Sequence, residues 1–155
     1  MSEPNETERA LDLKLWVVLA RAHAAIAQRV RTDLVRHGLT AAEFGALEAL
    51  YHRGPMLLGE VQKKILVSSG GITYLMDRLV KKGLAERRPC EEDRRASWAQ
   101  LTPAGVALIQ RIFPEHAAML QHTLGGLNDK EKEEAIRLIR QLGRHAAGEP
   151  AETSC

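Results

Sequence analysis

Apolar residues recur every three or four positions near the start of the chain, and this spacing predicts a long amphipathic helix. The helix is expected from about Arg9 to Arg36. At about 1.5 Å per residue it would span about 40 Å, which is more than a small domain needs for its own core. The pattern therefore predicts a helix with a partner. Its apolar stripe consists of Leu11, Leu15, Leu19, Ala22, Ile26, Val30 and Leu34.

Two shorter helices follow, each with sequence signals at its ends. Thr40 and Glu43 have the three-residue spacing of a capping box and open the second helix, which ends before Arg53-Gly54-Pro55. A third helix is expected over Gly59–Leu66, with Val61 and Ile65 directed inward.

The fourth helix is predicted over residues 69–82, with Ser68 as its N-cap and Gly83 as its stop. One face of this helix is apolar and the opposite face is small and hydrogen-bonding. The apolar residues are Ile72, Leu75, Met76 and Leu79, and the polar face carries Ser69, Gly70, Thr73, Tyr74 and Asp77.

Beyond Gly83 the apolar period shortens from 3.6 to 2, which predicts strands rather than a helix. The strands are expected over Leu84–Arg88 and Ser97–Leu101. Because a charged segment over Pro89–Ala96 joins them, the sequence predicts a β-hairpin with a protruding loop.

Two helices complete the chain. Thr102-Pro103 opens a fifth helix that runs to about Thr123 and is expected to kink at Pro114, where a backbone hydrogen bond is lost. Asn128 and Glu131 form the capping box of a sixth. The apolar stripe of that helix is Ala135, Ile136, Ile139 and Leu142.

Composition narrows the class of protein. The chain has 155 residues, of which 45% are hydrophobic and 27% charged, so it is expected to form one globular domain. No uncharged stretch is long enough to span a membrane, and the polar start MSEPNETERA does not resemble a signal peptide. The cytoplasm is therefore the expected compartment.

The net charge of +2 conceals an uneven distribution. Residues 53–100 carry ten Lys and Arg against six Asp and Glu, a net +4, whereas the rest of the chain carries twelve against fourteen. The excess of positive charge in the middle third favours a polyanionic partner.

The order of elements is that of a winged helix-turn-helix, which suits double-stranded DNA. Hydroxyl groups on the fourth helix can reach base edges in the major groove, and arginines at the loop of the hairpin can enter the minor groove. Lysines and arginines beside them can contact phosphates. The candidate DNA-binding residues are Ser68, Ser69, Gly70, Thr73, Tyr74, Lys81, Arg88, Arg94 and Arg95.

Residues 70–105 resemble the DNA-binding core of the MarR family of bacterial transcription regulators. The resemblance lies in DRLVKKGLAER at 77–87, Asp93-Arg94-Arg95, and LTPAG at 101–105. With the flanking helices it covers about residues 8–147. It implies a homodimer in which helices from both termini interlock, binding a DNA operator.

The resemblance also implies roles in the wing, the hairpin over residues 84–101. Arg95 is expected to enter the minor groove. Asp93 is expected to orient the wing through a salt bridge to an arginine such as Arg78; the plainer interpretation is that Asp93 only closes the turn, and the two roles are compatible.

Members of this family are commonly repressors released by a small, often phenolic molecule or by oxidation. The run IFPEHA at 112–117, with PCEEDRR, is similar to a branch linked to aromatic or quinone stress. The resemblance therefore implies a small aromatic effector. Trp16, Phe113 and His116 are candidates to line its pocket between the dimer helices and the DNA-binding lobe, unless they are ordinary core residues. Cys90 is a possible redox site, although neighbouring arginines and acids act on its thiol in opposite directions.

No pattern indicates a metal, a cofactor or catalysis. The six histidines lack metal-ligand spacing, and no nucleophile or phosphate-loop motif is present. We therefore expect a protein that is not an enzyme.

The predicted fold is mainly α with a small β-hairpin wing, in which a winged helix-turn-helix lobe is joined to a helical dimerisation region from both termini. The lobe is expected over about 40–101 and the dimerisation helices over 8–37 and 103–146, with residues 1–7 and 148–155 disordered. The alternatives to a ligand-released repressor are a winged-helix scaffold for protein partners and a DNA-binding regulator switched by oxidation of Cys90.

Overall fold

The structure is a computed structural model that describes residues 6–65, 69–93 and 95–148. Within these residues the chain is mainly helical with a small antiparallel sheet, which confirms the predicted fold class. The helices are α1 (Glu6–Val35), α2 (Ala41–Arg53), α3 (Leu58–Ile65), α4 (Ser69–Lys81), α5 (Pro103–Thr123) and α6 (Asp129–Ala146). The strands are β1 (Met56–Leu57), β2 (Ala85–Pro89) and β3 (Ser97–Leu101).

The ends of the helices lie close to their predicted positions. The first helix begins at Glu6, so residues 6 and 7, which were expected to be disordered, are helical. An acidic residue such as Glu6 favours a helix N-terminus because it interacts with the positive end of the helix dipole. The predicted N-cap Ser68 lies outside the described residues.

The sheet has the order β1-β3-β2, and all of its pairs are antiparallel. The pairing of Arg87 with Ala99 lies at the centre of the predicted hairpin and confirms it. The sequence did not predict β1, which pairs Met56 with Ala99 and Leu57 with Trp98. A strand of two residues is too short to show an alternating pattern.

One hydrophobic core lies between α2, α3, α4 and the sheet, and it extends to the last turns of α1 and to α5. The four residues predicted to face inward from the fourth helix are all buried. The side chains buried most completely include Leu34, Leu47, Val61, Met76, Leu79, Ile109 and Ile112.

The start of α5 fits closely against the end of the turn before β2. The Thr102 hydroxyl donates to the Gly83 carbonyl over 2.6 Å and accepts from the Gly105 amide over 3.1 Å, which confirms Thr102 as the N-cap. A Cβ atom on Gly105 would lie 2.0 Å from the Leu84 carbonyl oxygen. Only glycine fits there. Pro114 lies inside α5 as predicted, and the kink stays a prediction.

The chain divides into two compact units after Met119. In the second unit, α6 begins at the predicted capping box of Asn128 and Glu131 and buries none of its side chains. Its exposed apolar residues are Ile136, Leu138, Ile139 and Leu142. None of the helices in the described part of the chain is both long enough and apolar enough to cross a membrane.

Candidate nucleic-acid interface

The predicted recognition face of α4 is exposed to solvent. Gly70, Thr73, Tyr74 and Lys81 follow one another at helical spacing and are all exposed, and the Tyr74 ring is 64% accessible. Ser69 is the first residue of the helix. These positions form one side of α4, while the opposite side packs into the core, so the helix presents hydrogen-bonding groups outward.

The wing carries exposed cations. Arg95 lies in its loop, and the exposed guanidinium of Arg88 on β2 lies 3.2 Å from the Glu86 carboxylate. Arg94 lies outside the described residues. In the loop, the Asp93 carboxylate accepts from the Arg95 amide over 2.9 Å, and the Asp93 carbonyl accepts from the Ala96 amide over 2.9 Å. Asp93 therefore closes the turn, which was one of its two expected roles.

Arg78 pairs with Glu43 and not, as expected, with Asp93. Arg78 donates from Nε to the Glu43 Oε1 atom over 2.9 Å, and its guanidinium lies 5.8 Å from the centre of the Tyr74 ring. The Glu43 carboxylate is buried and Asp93 is exposed. A buried charge needs a partner far more than an exposed charge does, which explains why Arg78 pairs with Glu43.

Glu43 is the buried centre of an ionic cluster at the start of α2, whose two cationic side chains are partly exposed. Its carboxylate accepts from the Thr40 amide over 2.8 Å and from Lys82 Nζ over 2.9 Å, in addition to Arg78. Burial by itself raises the pKa of Glu43, but the hydrogen bonds from Thr40, Lys82 and Arg78 outweigh burial and lower the pKa below its usual value of 4.5. The capping-box motif identified Glu43 as a capping residue. No local sequence pattern indicated that its carboxylate also binds Arg78 of α4 and Lys82, the residue that follows α4.

Arg87 connects the wing to α4 through a hydrogen bond and an ion pair. Its guanidinium donates to the Thr73 carbonyl over 2.8 Å and lies 2.9 Å from the Asp77 carboxylate. This contact joins β2 to the middle of α4, so it sets the wing against the recognition face. Arg87 and Asp77 both belong to the DRLVKKGLAER motif. Their pairing could not be predicted from the sequence, because it depends on the conformation of the turn between α4 and β2.

The three candidate pocket residues do not come together within one chain. His116 is buried, donates from Nδ1 to the Asp33 carboxylate over 2.9 Å, and packs its ring 4.5 Å from that of Phe44. Trp16 is 66% exposed and precedes Asp33 by seventeen residues of α1, which is about 25 Å along the helix axis. His116 is thus a core residue in a polar pair, and a pocket that combines it with Trp16 between the helices of a dimer stays a prediction.

The buried Asp33 carboxylate also contacts Arg36 at 2.5 Å. Burial raises the pKa of Asp33, while the hydrogen bonds from His116 and Arg36 lower it, and the net effect is a pKa below the usual 3.8. Because an ionised carboxylate only accepts hydrogen bonds, the His116 Nδ1 atom carries a proton.

An open groove of about 540 Å³ lies along α2 and the end of α3. Its wall includes His52, whose ring meets the Phe113 ring edge-on at a centroid distance of 5.5 Å. The groove is lined by both small and charged residues. It is lined by Ala41, Ala42, Gly45, Glu48, Ala49, His52, Arg53, Lys64 and Ile65.

Cys90 follows β2 and is half-buried, and its amide donates to the Ala96 carbonyl over 3.2 Å. Nothing in its described surroundings tests the expected redox role, which stays a prediction. Within residues 6–65, 69–93 and 95–148, no three histidine, cysteine or acidic side chains are placed to hold a metal ion.

Comparisons with known proteins agree with this geometry. A model of the MarR family matches residues 37–96. The transcriptional regulator MhqR of Bacillus subtilis is 39% identical over 140 residues, which cover 90% of this chain and 95% of that protein.

Two solved structures share the fold. Sco3205 of Streptomyces coelicolor, a MarR family regulator solved with DNA, has a TM-score of 0.83 at 20% identity and covers 98% of this chain and 94% of its own. BpsR of Bordetella bronchiseptica, whose DNA binding is regulated by 6-hydroxynicotinic acid, has a TM-score of 0.77 at 28% identity and covers 84% of this chain and 98% of its own. With a winged helix-turn-helix that exposes its recognition face and a relative 39% identical over nine-tenths of its length, the chain belongs to the MarR family of DNA-binding transcriptional regulators.

Proposed function

We propose that the protein is a homodimeric repressor that binds a pseudo-palindromic operator and is released by a small aromatic molecule. The observation that carries the DNA-binding part is the exposed hydrogen-bonding face of α4 beside a wing with exposed arginines. In this arrangement Thr73 and Tyr74 contact bases or phosphates in the major groove, and Arg95 enters the adjacent minor groove. Lys81 and Arg88 contact phosphates. DNA contacts are also proposed, from the sequence alone, for four further residues: Ser68, Ser69, Gly70 and Arg94.

The homodimer is supported by apolar surface on the terminal helices. On α1, Leu11, Leu15 and Trp16 are exposed, and α6 exposes a second apolar stripe. Exposed apolar patches of this extent mark interaction surfaces. A two-fold dimer presents two recognition helices, so the operator has two half-sites about one helical turn apart.

The test of the minor-groove contact is Arg95→Ala. A duplex selected by the wild-type protein from a randomised DNA library serves as operator, and binding is measured by fluorescence anisotropy with random DNA as competitor. We expect Arg95→Ala to weaken binding by about tenfold, which is the size of effect expected when one specific interaction is removed. Arg31→Ala, which removes an exposed arginine from α1, serves as the matched control and leaves affinity unchanged. Equal affinities of Arg95→Ala and the wild type would refute the contact.

The aromatic effector is supported by the groove along α2. Its volume falls in the range of small-molecule sites, its lining includes Ala41, Ala42, Gly45 and Ala49, and Arg53 and Lys64 supply positive charge for an anionic ring substituent. The Phe113 ring contacts His52, which lines the groove. The binding of BpsR to DNA is regulated by an aromatic acid, 6-hydroxynicotinic acid.

Release of the selected duplex is measured with 6-hydroxynicotinic acid, catechol and 1,4-benzoquinone. An effector that binds only the folded protein also raises the melting temperature. We expect Arg53→Gln to weaken the response to the active compound without changing DNA affinity in its absence. A response retained by Arg53→Gln but lost in Cys90→Ser would instead support the alternative of a cysteine switch. A scaffold for protein partners needs neither the exposed hydrogen-bonding face of α4 nor the exposed arginines of the wing, and this chain has both.

A further inference from the structure

Tyr74 is a large side chain on an exposed surface, and such a ring is free to turn unless something holds it. It is 64% accessible, yet the Arg78 guanidinium lies over it at 5.8 Å from the ring centre. That distance is within the range of a cation–π contact. Arg78 follows Tyr74 by four residues on α4, so both lie on neighbouring turns of the same face.

The guanidinium is itself held from the other side. Its Nε atom donates over 2.9 Å to Glu43, whose carboxylate has no solvent exposure. Glu43 in turn is held by the Thr40 amide and by Lys82, which also donates to the Gly38 carbonyl over 2.8 Å. The cluster therefore anchors Arg78 to the start of α2, which is part of the core and not of the DNA-facing surface.

We propose that Glu43 is a positioning residue for DNA recognition, which holds the Arg78 guanidinium against the Tyr74 ring and so keeps the ring in one orientation on the exposed face of α4. Glu43 itself does not touch DNA. A ring that is already oriented loses less conformational freedom when DNA binds, so the contact contributes more to affinity for the correct sequence. The inference rests on the proposed role of Tyr74 at DNA.

The test is a double-mutant cycle between Glu43→Gln and Tyr74→Ala. Glutamine keeps the shape of the side chain and an oxygen for the Thr40 amide, but it removes the charge that holds Arg78. Affinity is measured for the selected duplex and for a random duplex of equal length, after circular dichroism melting shows that each variant is folded. Glu134→Gln, which breaks an exposed ion pair with Arg137 on α6, is the matched control.

We expect Glu43→Gln to weaken binding of the selected duplex by about tenfold and binding of the random duplex by less than about twofold. In the Tyr74→Ala background, Glu43→Gln has no further effect on affinity, because the ring through which Glu43 acts is already absent. A purely structural role would instead lower both affinities together, in step with the melting temperature.

Independent effects of Glu43→Gln and Tyr74→Ala that add in the double variant would overturn the positioning role. If Tyr74→Ala alone leaves affinity unchanged, the proposed contact of Tyr74 with DNA fails, and the positioning role fails with it. Should Glu43→Gln not fold, Arg78→Lys takes its place in the cycle, since lysine keeps the charge but loses the planar guanidinium that lies over the ring.

Discussion

Two buried carboxylates organise this molecule at the scale of single residues. Glu43 receives hydrogen bonds from α4, from Lys82 and from its own capping box, and Asp33 receives them from His116 and Arg36. Burial would favour the protonated form of each, but the partners reverse that preference and lower both pKa values. Both groups are therefore more stable as anions in the folded chain than in the unfolded one.

Stability should consequently depend on pH in a defined direction. A carboxyl group whose pKa is lower in the folded state contributes stability above its usual pKa, and the contribution is lost as the pH falls through the folded value. We expect the free energy of unfolding to decrease as the pH is lowered from 7 through the usual values of 4.5 for Glu43 and 3.8 for Asp33. Urea titrations at a series of pH values measure the free energy of unfolding.

Glu43→Gln provides the internal check of that profile. We expect it to cost about 2 kcal/mol at pH 7, because buried charge-assisted hydrogen bonds are removed, and to flatten the acid limb of the profile. Glu134→Gln, at a solvent-exposed pair, should leave the free energy of unfolding almost unchanged, because surface ion pairs contribute little to stability. A Glu43→Gln profile parallel to that of the wild type would contradict the assignment of the lowered pKa to Glu43.

At the scale of elements, the sequence predicts well what depends on neighbouring residues. The helices, the hairpin and the capping residues Thr40, Thr102 and Asn128 follow from periodicity and spacing, and the structure confirms them. Contacts between different elements are not encoded in such local patterns. The pairings of Arg78 with Glu43 and of Arg87 with Asp77 could therefore be identified only in the folded structure.

Gly105 shows how tightly two of these elements fit. We expect Gly105→Ala to lower the free energy of unfolding by about 2 kcal/mol or more, because its Cβ would collide with the Leu84 carbonyl at the entrance to β2. Urea unfolding measures the decrease. Gly59→Ala, at a helical position with nothing within 4 Å, is the control and should not destabilise the protein. Equal stabilities for both variants would argue against the close packing.

At the scale of the whole molecule, DNA binding should be strongly dependent on salt. Lysine and arginine release counterions when they contact phosphates, so affinity falls with ionic strength. We expect the logarithm of the binding constant for the selected duplex to fall linearly with the logarithm of salt concentration. Lys81→Gln should make the slope less steep by about 1, because one phosphate is then no longer neutralised. An unchanged slope would remove Lys81 from the interface, and Lys132→Gln on α6 is the control.

The exposed apolar stripe of α6 leads to a prediction about assembly. We expect Ile139→Glu to convert the proposed dimer to a monomer in sedimentation experiments and to abolish tight operator binding, because a buried apolar interface would receive an unpaired charge. Gln141→Glu places the same side chain at a polar position of the helix and should leave the dimer intact. If Ile139→Glu remains dimeric, α6 does not form the interface through this stripe.

The first turn of α2 contacts two other helices of the first unit. Glu43 holds α4 on one side of this turn, and the next residue, Phe44, packs on His116 of α5 on the other. These two contacts lie on consecutive residues, so one helical turn joins the buried pair of His116 and Asp33 to the Arg78 side chain of α4.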